Sequence, residues 1–246
     1  MRRVLLKFVL LQMLVGSVES LSDPAYVHKF PPLDPQQQRL CNLLQSENTK
    51  VLIVTGAAGT GKTFLSCQEA MSQLRHRKKN KIVITRPLVF VENEELGYLP
   101  GDMNEKMLPW TMPILDHMKE FVETTELKRL MSESKIEISP LGYMRGRTFK
   151  DSFIILDEAQ NTTPQQMKMF LTRAGNNSKI VVNGDLQQSD LSTSINGLQD
   201  FILRMQSHYE DRGHDMYSEG FGYVQLQSEN TYRNPIIKNI LDIYTA

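Results

Sequence analysis

The sequence predicts one α/β domain built on a doubly wound, mostly parallel sheet with helices on both faces. Three observations carry that expectation: short, continuous β-branched runs; helical patterns lying between them; and glycines and acids gathered directly after the runs. The chain has 246 residues, 40% of them hydrophobic, enough for one large domain with a sizeable core. From Leu33 onward no repeat, low-complexity stretch or Pro/Gly-rich linker divides it.

The opening segment stands apart. Arg2, Arg3 and Lys7 lie among Val, Leu, Phe and Met, and no acid precedes Glu19, a targeting composition. Lys7 limits the uninterrupted apolar run to Phe8–Val15, too short to span a bilayer, so no stable membrane insertion is expected. Residues 1–22 read either as a presequence or signal, or as an amphipathic helix packed on the domain; residues 23–246 form the domain itself. The location that follows is the cytoplasm, or an organelle interior if the segment is a presequence. Cys41 and Cys67 lack metal-ligand spacing and read as small buried residues in a reducing compartment.

The first core strand is Lys50–Thr55 (KVLIVT), a run with no polar alternation that suits burial on both faces. The same texture recurs at Lys81–Thr85, Ser152–Leu156 and Lys179–Asn183, and more weakly at Tyr223–Gln227. Helical patterns cover Thr63–Arg75, Pro164–Arg173 and Gly197–His208. Glu92–Met131, holding Trp110 and several Met residues, interrupts the alternation as an inserted loop-helix region, its Met residues expected to pack as core. On such sheets ligands bind beyond the carboxyl ends of the strands, where the polar motifs of this chain fall.

Gly56-Ala57-Ala58-Gly59-Thr60-Gly61-Lys62-Thr63 follows the first strand and opens the first long helical pattern. Glycines let the backbone turn close to phosphates and aim N–H groups at them, and the helix adds its positive end. Lys62 supplies a charge for the β- and γ-phosphates, and the Thr63 hydroxyl is the expected Mg2+ ligand. This is a P-loop, and it implies ATP with magnesium.

A P-loop does not by itself separate hydrolases from kinases. Phe153–Leu156 delivers Asp157 and Glu158 to a strand end. Asp157 suits the magnesium role of a Walker B aspartate, and Glu158, turned away from it by strand alternation, suits the polarising of an attacking water. Asn183-Gly184-Asp185-Leu186-Gln187-Gln188 ends the next buried run, so Asp185 and Gln188 stand beside Asp157 if the two strands are neighbours. A neutral amide there can sense a γ-phosphate without opposing its charge.

GAAGTGKT (Gly56–Thr63), ITRP (Ile84–Pro87), LGYLPGDMNEKM (Leu96–Met107), YMRGRTF (Tyr143–Phe149), ILDEAQNTTPQQMKMFLTR (Ile155–Arg173) and NGDLQQSDL (Asn183–Leu191) together resemble the PhoH-like ATPases, relatives of superfamily-1 helicase cores. The resemblance implies a single RecA-type core, Mg-dependent ATP hydrolysis, RNA or DNA association and ring-like homo-oligomers. By motif position Gln37 resembles an adenine-reading glutamine, with Gln36 and Gln38 as alternatives of register; Gln188 resembles the γ-phosphate sensor; Arg233 resembles a C-terminal arginine that acts on a neighbour's ATP. The chain departs from the pattern in PLVFVENEELGYLP after the second strand and in Asn183, where threonine is more usual. The stretch before Leu33 is also too short for the further N-terminal region or nuclease-like domain that family members often carry.

Lys plus Arg and Asp plus Glu both total 28, so no global field draws the chain to a polyanion and any such binding is local. The run Arg75-His76-Arg77-Lys78-Lys79 falls at the edge away from the phosphates and reads as a solvated turn. Arg86 follows the second strand at the ligand-bearing edge, and Tyr143, Arg145 and Arg147 interleave charge with aromatics, so these four are the candidates for a single strand of RNA or DNA. With residues for one RecA-type domain, unwinding would require oligomers. The competing readings are a P-loop small-molecule kinase and a nucleotide-dependent assembly switch.

Overall fold

The structure is a computed structural model that describes residues 30–87, 103–188, 195–212 and 215–227. Helix α1 (Pro35–Gln45) starts where Asp34 accepts hydrogen bonds from the Gln36 and Gln37 backbone N–H groups, with Pro35 just inside the start. Strand β1 (Val51–Gly56) leads through the phosphate-binding loop into helix α2 (Lys62–Arg75), and strand β2 (Lys81–Arg86) follows. Helices α3 (Met103–Lys119) and α4 (Thr124–Ser132) then precede strand β3 (Ile136–Pro140), a 3-10 turn at Leu141–Met144 and strand β4 (Ser152–Leu156). Helix α5 (Pro164–Leu171) opens with a reciprocal cap between Thr163 and Gln166, and strand β5 (Lys179–Gly184), helix α6 (Gly197–Arg212) and strand β6 (Phe221–Leu226) complete the described order.

The strands form one sheet in the order β3-β2-β4-β5-β1-β6, with every pairing parallel. Alternate residues of the same strands feed two cores, as the two-residue side-chain period requires. Leu52, Val54, Ile82, Ile84, Phe153, Ile155 and Val181 pack on one face with α1 to α4. Ile53, Val83, Ile154, Leu156, Ile180 and Val182 pack on the other with α5 and α6. The expected doubly wound α/β fold, helices on both faces, is the observed one.

Two features differ from the sequence reading. Strand β3 was not anticipated, because Ile136-Glu137-Ile138-Ser139-Pro140 alternates apolar and polar residues over a stretch too short to separate from a loop; it pairs with β2 as an edge strand. In the inserted region Met118 is fully buried against the first core, but Met112 and Met131 are exposed, so only part of its methionine content serves as core. The segment 88–102, which includes most of LGYLPGDM, lies outside the described residues. The basic turn after α2 sits, as expected, at the edge opposite the loop, with Lys79 bonded to Asn177 and Lys78 3.9 Å from Glu47.

Candidate nucleotide site at the carboxyl edge

β1 ends at Gly56, and the chain turns back through Ala57–Gly61 before α2 begins. Gly61 precedes the helix with φ 91°, a left-handed conformation, and a Cβ there would lie 3.1 Å from the Gln37 amide nitrogen. Thr60 is buried and its hydroxyl donates to the Ala57 carbonyl at 2.8 Å, tightening the turn. The Lys62 ammonium folds over the same loop, donating to the carbonyls of Gly56 at 2.6 Å and Ala57 at 2.8 Å. One residue on, the Thr63 hydroxyl donates to Asp157 Oδ1 at 2.6 Å, joining the loop to the strand that carries the acids.

β5 lies between β1 and β4, so the phosphate-loop strand and the acid-bearing strand are separated by the strand ending in Asn183 and Gly184. The neighbour relation required of β4 and β5 therefore holds. Asn183 is fully buried and exchanges hydrogen bonds with Ser66 on α2, at 3.2 and 3.3 Å, so its departure from threonine is absorbed into packing behind the loop.

The two acids diverge for a reason other than strand alternation. β4 stops at Leu156, and Glu158 takes the left-handed conformation with φ 53°, uncommon for a residue with a side chain and costing about 1–3 kcal/mol that the surroundings must offset. The turn leaves the Asp157 side chain 10% exposed and that of Glu158 44% exposed. Gln160 fixes the turn: its amide nitrogen donates to Glu158 Oε2 at 2.7 Å while its carbonyl accepts from the Asp185 N–H at 3.0 Å. Burial pushes the Asp157 carboxyl above its usual range and the adjacent Glu158 charge adds to that, whereas the Thr63 hydroxyl and Arg86 pull the other way. A buried carboxyl raised by desolvation, 2.6 Å from a hydroxyl, is a pair of hard oxygen donors suited to a small divalent cation.

Gly184 is needed where Gln160 crosses, because a Cβ there would come within 2.4 Å of Leu198 Cδ2 and 3.0 Å of Gln160 Oε1. Gly184→Ala is therefore expected to destabilise the domain by about 1–3 kcal/mol through overpacking. Denaturant unfolding of the variant checks this; unchanged stability would mean that α6 shifts freely.

The remaining candidates divide. Gln37 is 4% exposed; its amide donates to the Thr60 carbonyl at 3.1 Å and accepts from the Leu33 N–H at 2.9 Å, so it braces the loop. Gln36 instead accepts from the Gln227 N–H, and Gln38 bonds Asn42. Gln188 is exposed at the end of the Asp185 turn, and Arg233 lies outside the described residues. Arg86 faces the two acids, 3.7 Å from Asp157 and 3.6 Å from Glu158. Tyr143, 57% exposed, and Arg145, also exposed, stand on the turn after β3.

Arg147, by contrast, pairs through both terminal nitrogens with Glu137 and lies over the Phe149 ring at 4.6 Å, which commits its guanidinium to the fold. The Arg147 bond, joined by Lys81, holds the Glu137 carboxyl down at about 2. A depressed carboxylate contributes stability above its unfolded value near 4.5 and loses it as pH falls toward 2. The difference in melting temperature between the wild type and Glu137→Gln should thus shrink from pH 7 to pH 3; a constant difference would contradict the pairing.

Sequence reasoning missed two contributors. Gln160 was visible only as part of a motif, with nothing in its spacing to say that its amide bridges β4 to β5. His117, on α3, packs edge-on to Phe64 with ring centres 5.9 Å apart, and its nearness to Asp157 is felt electrostatically although burial dominates and lowers its proton affinity.

A glycine-rich loop at the end of an interior parallel strand, with a threonine bonded to a strand-end aspartate, defines a P-loop nucleoside triphosphatase domain. Residues 29–245 match the family described as PhoH-like protein, and the chain belongs to that family. It is 39% identical over 210 residues to a PhoH-like protein of Synechocystis, covering 85% of this chain and 60% of that one. It is 38% identical over 235 residues to Protein PhoH of Escherichia coli, covering 94% and 63%. The chain thus spans about three fifths of the length of these relatives. Among solved structures, a Sulfolobus solfataricus SWI2/SNF2 ATPase core in complex with dsDNA aligns at 12% identity, covering 82% of this chain and 46% of that one with a TM-score of 0.47. Pif1 helicase from Candida albicans aligns at 15% identity, covering 88% and 44%, with a TM-score of 0.42. Among the described residues no helix is long and apolar enough to cross a membrane.

Proposed function

We propose that this domain hydrolyses ATP with magnesium and that single-stranded RNA or DNA, lying along the carboxyl edge of the sheet, stimulates the reaction. The observation that supports the reading is the Thr63–Asp157 bond of 2.6 Å with Glu158 turned out beside it, two oxygen groups that could hold a cation next to a half-exposed carboxylate. The N–H groups of Gly59–Thr63 and the Lys62 ammonium bind the phosphates. Thr63 and Asp157 would hold magnesium, which neutralises charge on the β- and γ-phosphates when bound. Glu158 accepts a hydrogen bond from water and orients its oxygen toward the γ-phosphorus; that oxygen bonds to the phosphorus as the bond to the bridging oxygen breaks, ADP leaves with the bridging oxygen, and the water proton passes to Glu158 and on to solvent.

The strand contacts are Tyr143, whose exposed ring can stack on a base, and Arg145, which can meet the backbone. Gln188 senses the γ-phosphate in this reading, and Arg233 reaches the site of a neighbouring copy in a homo-oligomer. ATP turnover measured with and without single-stranded RNA or DNA tests the proposal: severalfold stimulation that falls when Tyr143 and Arg145 are both replaced by alanine supports it, and equal turnover under all conditions contradicts it.

A further inference from the structure

The amino edge of the sheet holds a cavity of about 270 Å³, at the end of β1 away from the phosphate loop. A strand of this length spans about 20 Å, so the two places are separate. The cavity walls come from the turn after α1, from Lys50 at the start of β1, from the turn after α2 and from the start of β5. Lys50, Lys78, Lys79 and Lys179 line it, with Glu47 as the acid among them.

The four ammonium groups differ in what they are committed to. Lys179 is buried, and its Nζ donates to the carbonyls of Leu43, Leu44 and Ser46 at the end of α1, which uses all three donors on a helix end that favours a cation. The Lys79 ammonium bonds the Asn177 carbonyl and side-chain oxygen at 2.7 and 2.8 Å, two of its three donors. Lys78 meets Glu47 at 3.9 Å with both side chains largely exposed, a contact worth little in water. The Lys50 ammonium makes no hydrogen bond among the described residues, and there none of Lys50, Lys79 and Lys179 is in an ion pair with a carboxylate. Burial lowers the proton affinity of Lys79 and the Lys50 charge adds to that, against Asp151 and Glu47. Burial likewise brings Lys179 down to about 8, with Lys79 and Lys50 pulling the same way and Glu69 and Glu47 opposing. The lysines thus repel one another across the cavity, and an anion between them would offset that repulsion.

The walls are fixed by backbone bonds. The Lys50 N–H donates to the Gly220 carbonyl at 2.7 Å and its carbonyl accepts from the Ile180 N–H at 2.8 Å, while the Lys78 and Lys79 N–H groups both bond the Gln73 carbonyl. A lysine ammonium is a compact point charge on a flexible stem and suits the oxygens of a phosphate; a planar carboxylate calls for an arginine fork, and no arginine lines this cavity. The volume, at the lower end for ligand pockets, restricts the occupant to a small molecule.

We propose that this cavity is a second anion site, which takes a small phosphorylated molecule of the diphosphate class on Lys50, Lys78 and Lys79. None of these residues takes part in the proposed hydrolysis or strand contacts, so the two stand or fall separately.

The probe is inorganic pyrophosphate, titrated calorimetrically into the Lys62→Ala variant so that the phosphate loop contributes least. Saturable binding is expected, weakened by about tenfold or more when Lys50→Gln and Lys79→Gln are combined, through loss of two charge-assisted contacts. Lys179 stays in place because its loss would leave three carbonyls without their donor, and thermal melting confirms that the variant is folded. Amine acylation followed by mass spectrometry reads the site itself: pyrophosphate should slow labelling of Lys50 and Lys79 severalfold, and sodium chloride at matched ionic strength should not. Absence of saturable binding, binding untouched by the two substitutions, or equal slowing by chloride overturns the site. Slowing by single-stranded RNA but not by pyrophosphate also overturns it, since the lysines would then form the rim of a polymer-binding surface.

Discussion

Glu158→Gln is expected to lower ATP turnover by ~10²–10⁴-fold while ATP still binds, the range for losing a positioned general base. Glutamine keeps the length and can still hydrogen-bond a water, but carries no negative charge with which to polarise it. Binding should survive because in the proposed function the phosphates go to the loop and Lys62, to neither of which Glu158 is hydrogen-bonded. Gln160 can keep its bond to the new amide carbonyl, so the left-handed turn is retained. Turnover by phosphate release, set beside nucleotide retention on the isolated protein, reads both halves of this expectation. Loss of binding together with turnover would mean that Glu158 shapes the pocket; unchanged turnover would place the base elsewhere.

Lys62→Ala should act on both quantities. Its ammonium already converges on the Gly56 and Ala57 carbonyls, which places the charge over the loop that would receive the phosphates. Removing one such donor to developing charge costs about 10²–10³-fold in rate, and loss of a charge-assisted hydrogen bond worth roughly 1.5–3 kcal/mol weakens ATP binding by about tenfold or more. Equilibrium binding of a fluorescent ATP analogue with and without the substitution separates the two effects. A variant that binds ATP as tightly as the wild type would show that the loop amides alone hold the phosphates.

The parts that were legible in the sequence are those encoded locally. Lys50–Thr55, Lys81–Thr85, Ser152–Leu156 and Lys179–Asn183 could be read as buried strands because each is a continuous run of apolar, largely β-branched residues, and burial on two faces is what such a run reports; the observed strands fall within a residue of them. β3 could not, since Glu137 within it is a polar residue, half-buried where Arg147 and Lys81 from outside the strand and Ser139 within it all bond its carboxylate. Strand order was hidden for the same reason: periodicity says that a strand is buried, not that β5 lies between β1 and β4.

The site divides along the same line. The loop and the adjacent acids are contiguous motifs and could be placed, whereas the directions of Arg86, Gln37 and Gln160 depend on elements brought together by the sheet. Arg86 reads from its place after the second strand as a contact for a nucleic-acid backbone, and its position in the sheet also puts Asp157 and Glu158 within 4 Å of it. Gln37 read as a base contact by resemblance, yet α1 packs so that its amide meets the Thr60 carbonyl. The divergence of Asp157 from Glu158 was expected from alternation, but it arises from a left-handed turn that no propensity favours for glutamate.

The fate of the γ-phosphate tests the central claim most directly. Hydrolysis of ATP by this chain in water enriched in oxygen-18, followed by mass analysis of the phosphate, should give inorganic phosphate with one labelled oxygen per turnover and ADP with none, at a rate that falls with Glu158→Gln. Phosphate appearing on an acceptor other than water, or no phosphate released with any single strand present, would contradict it.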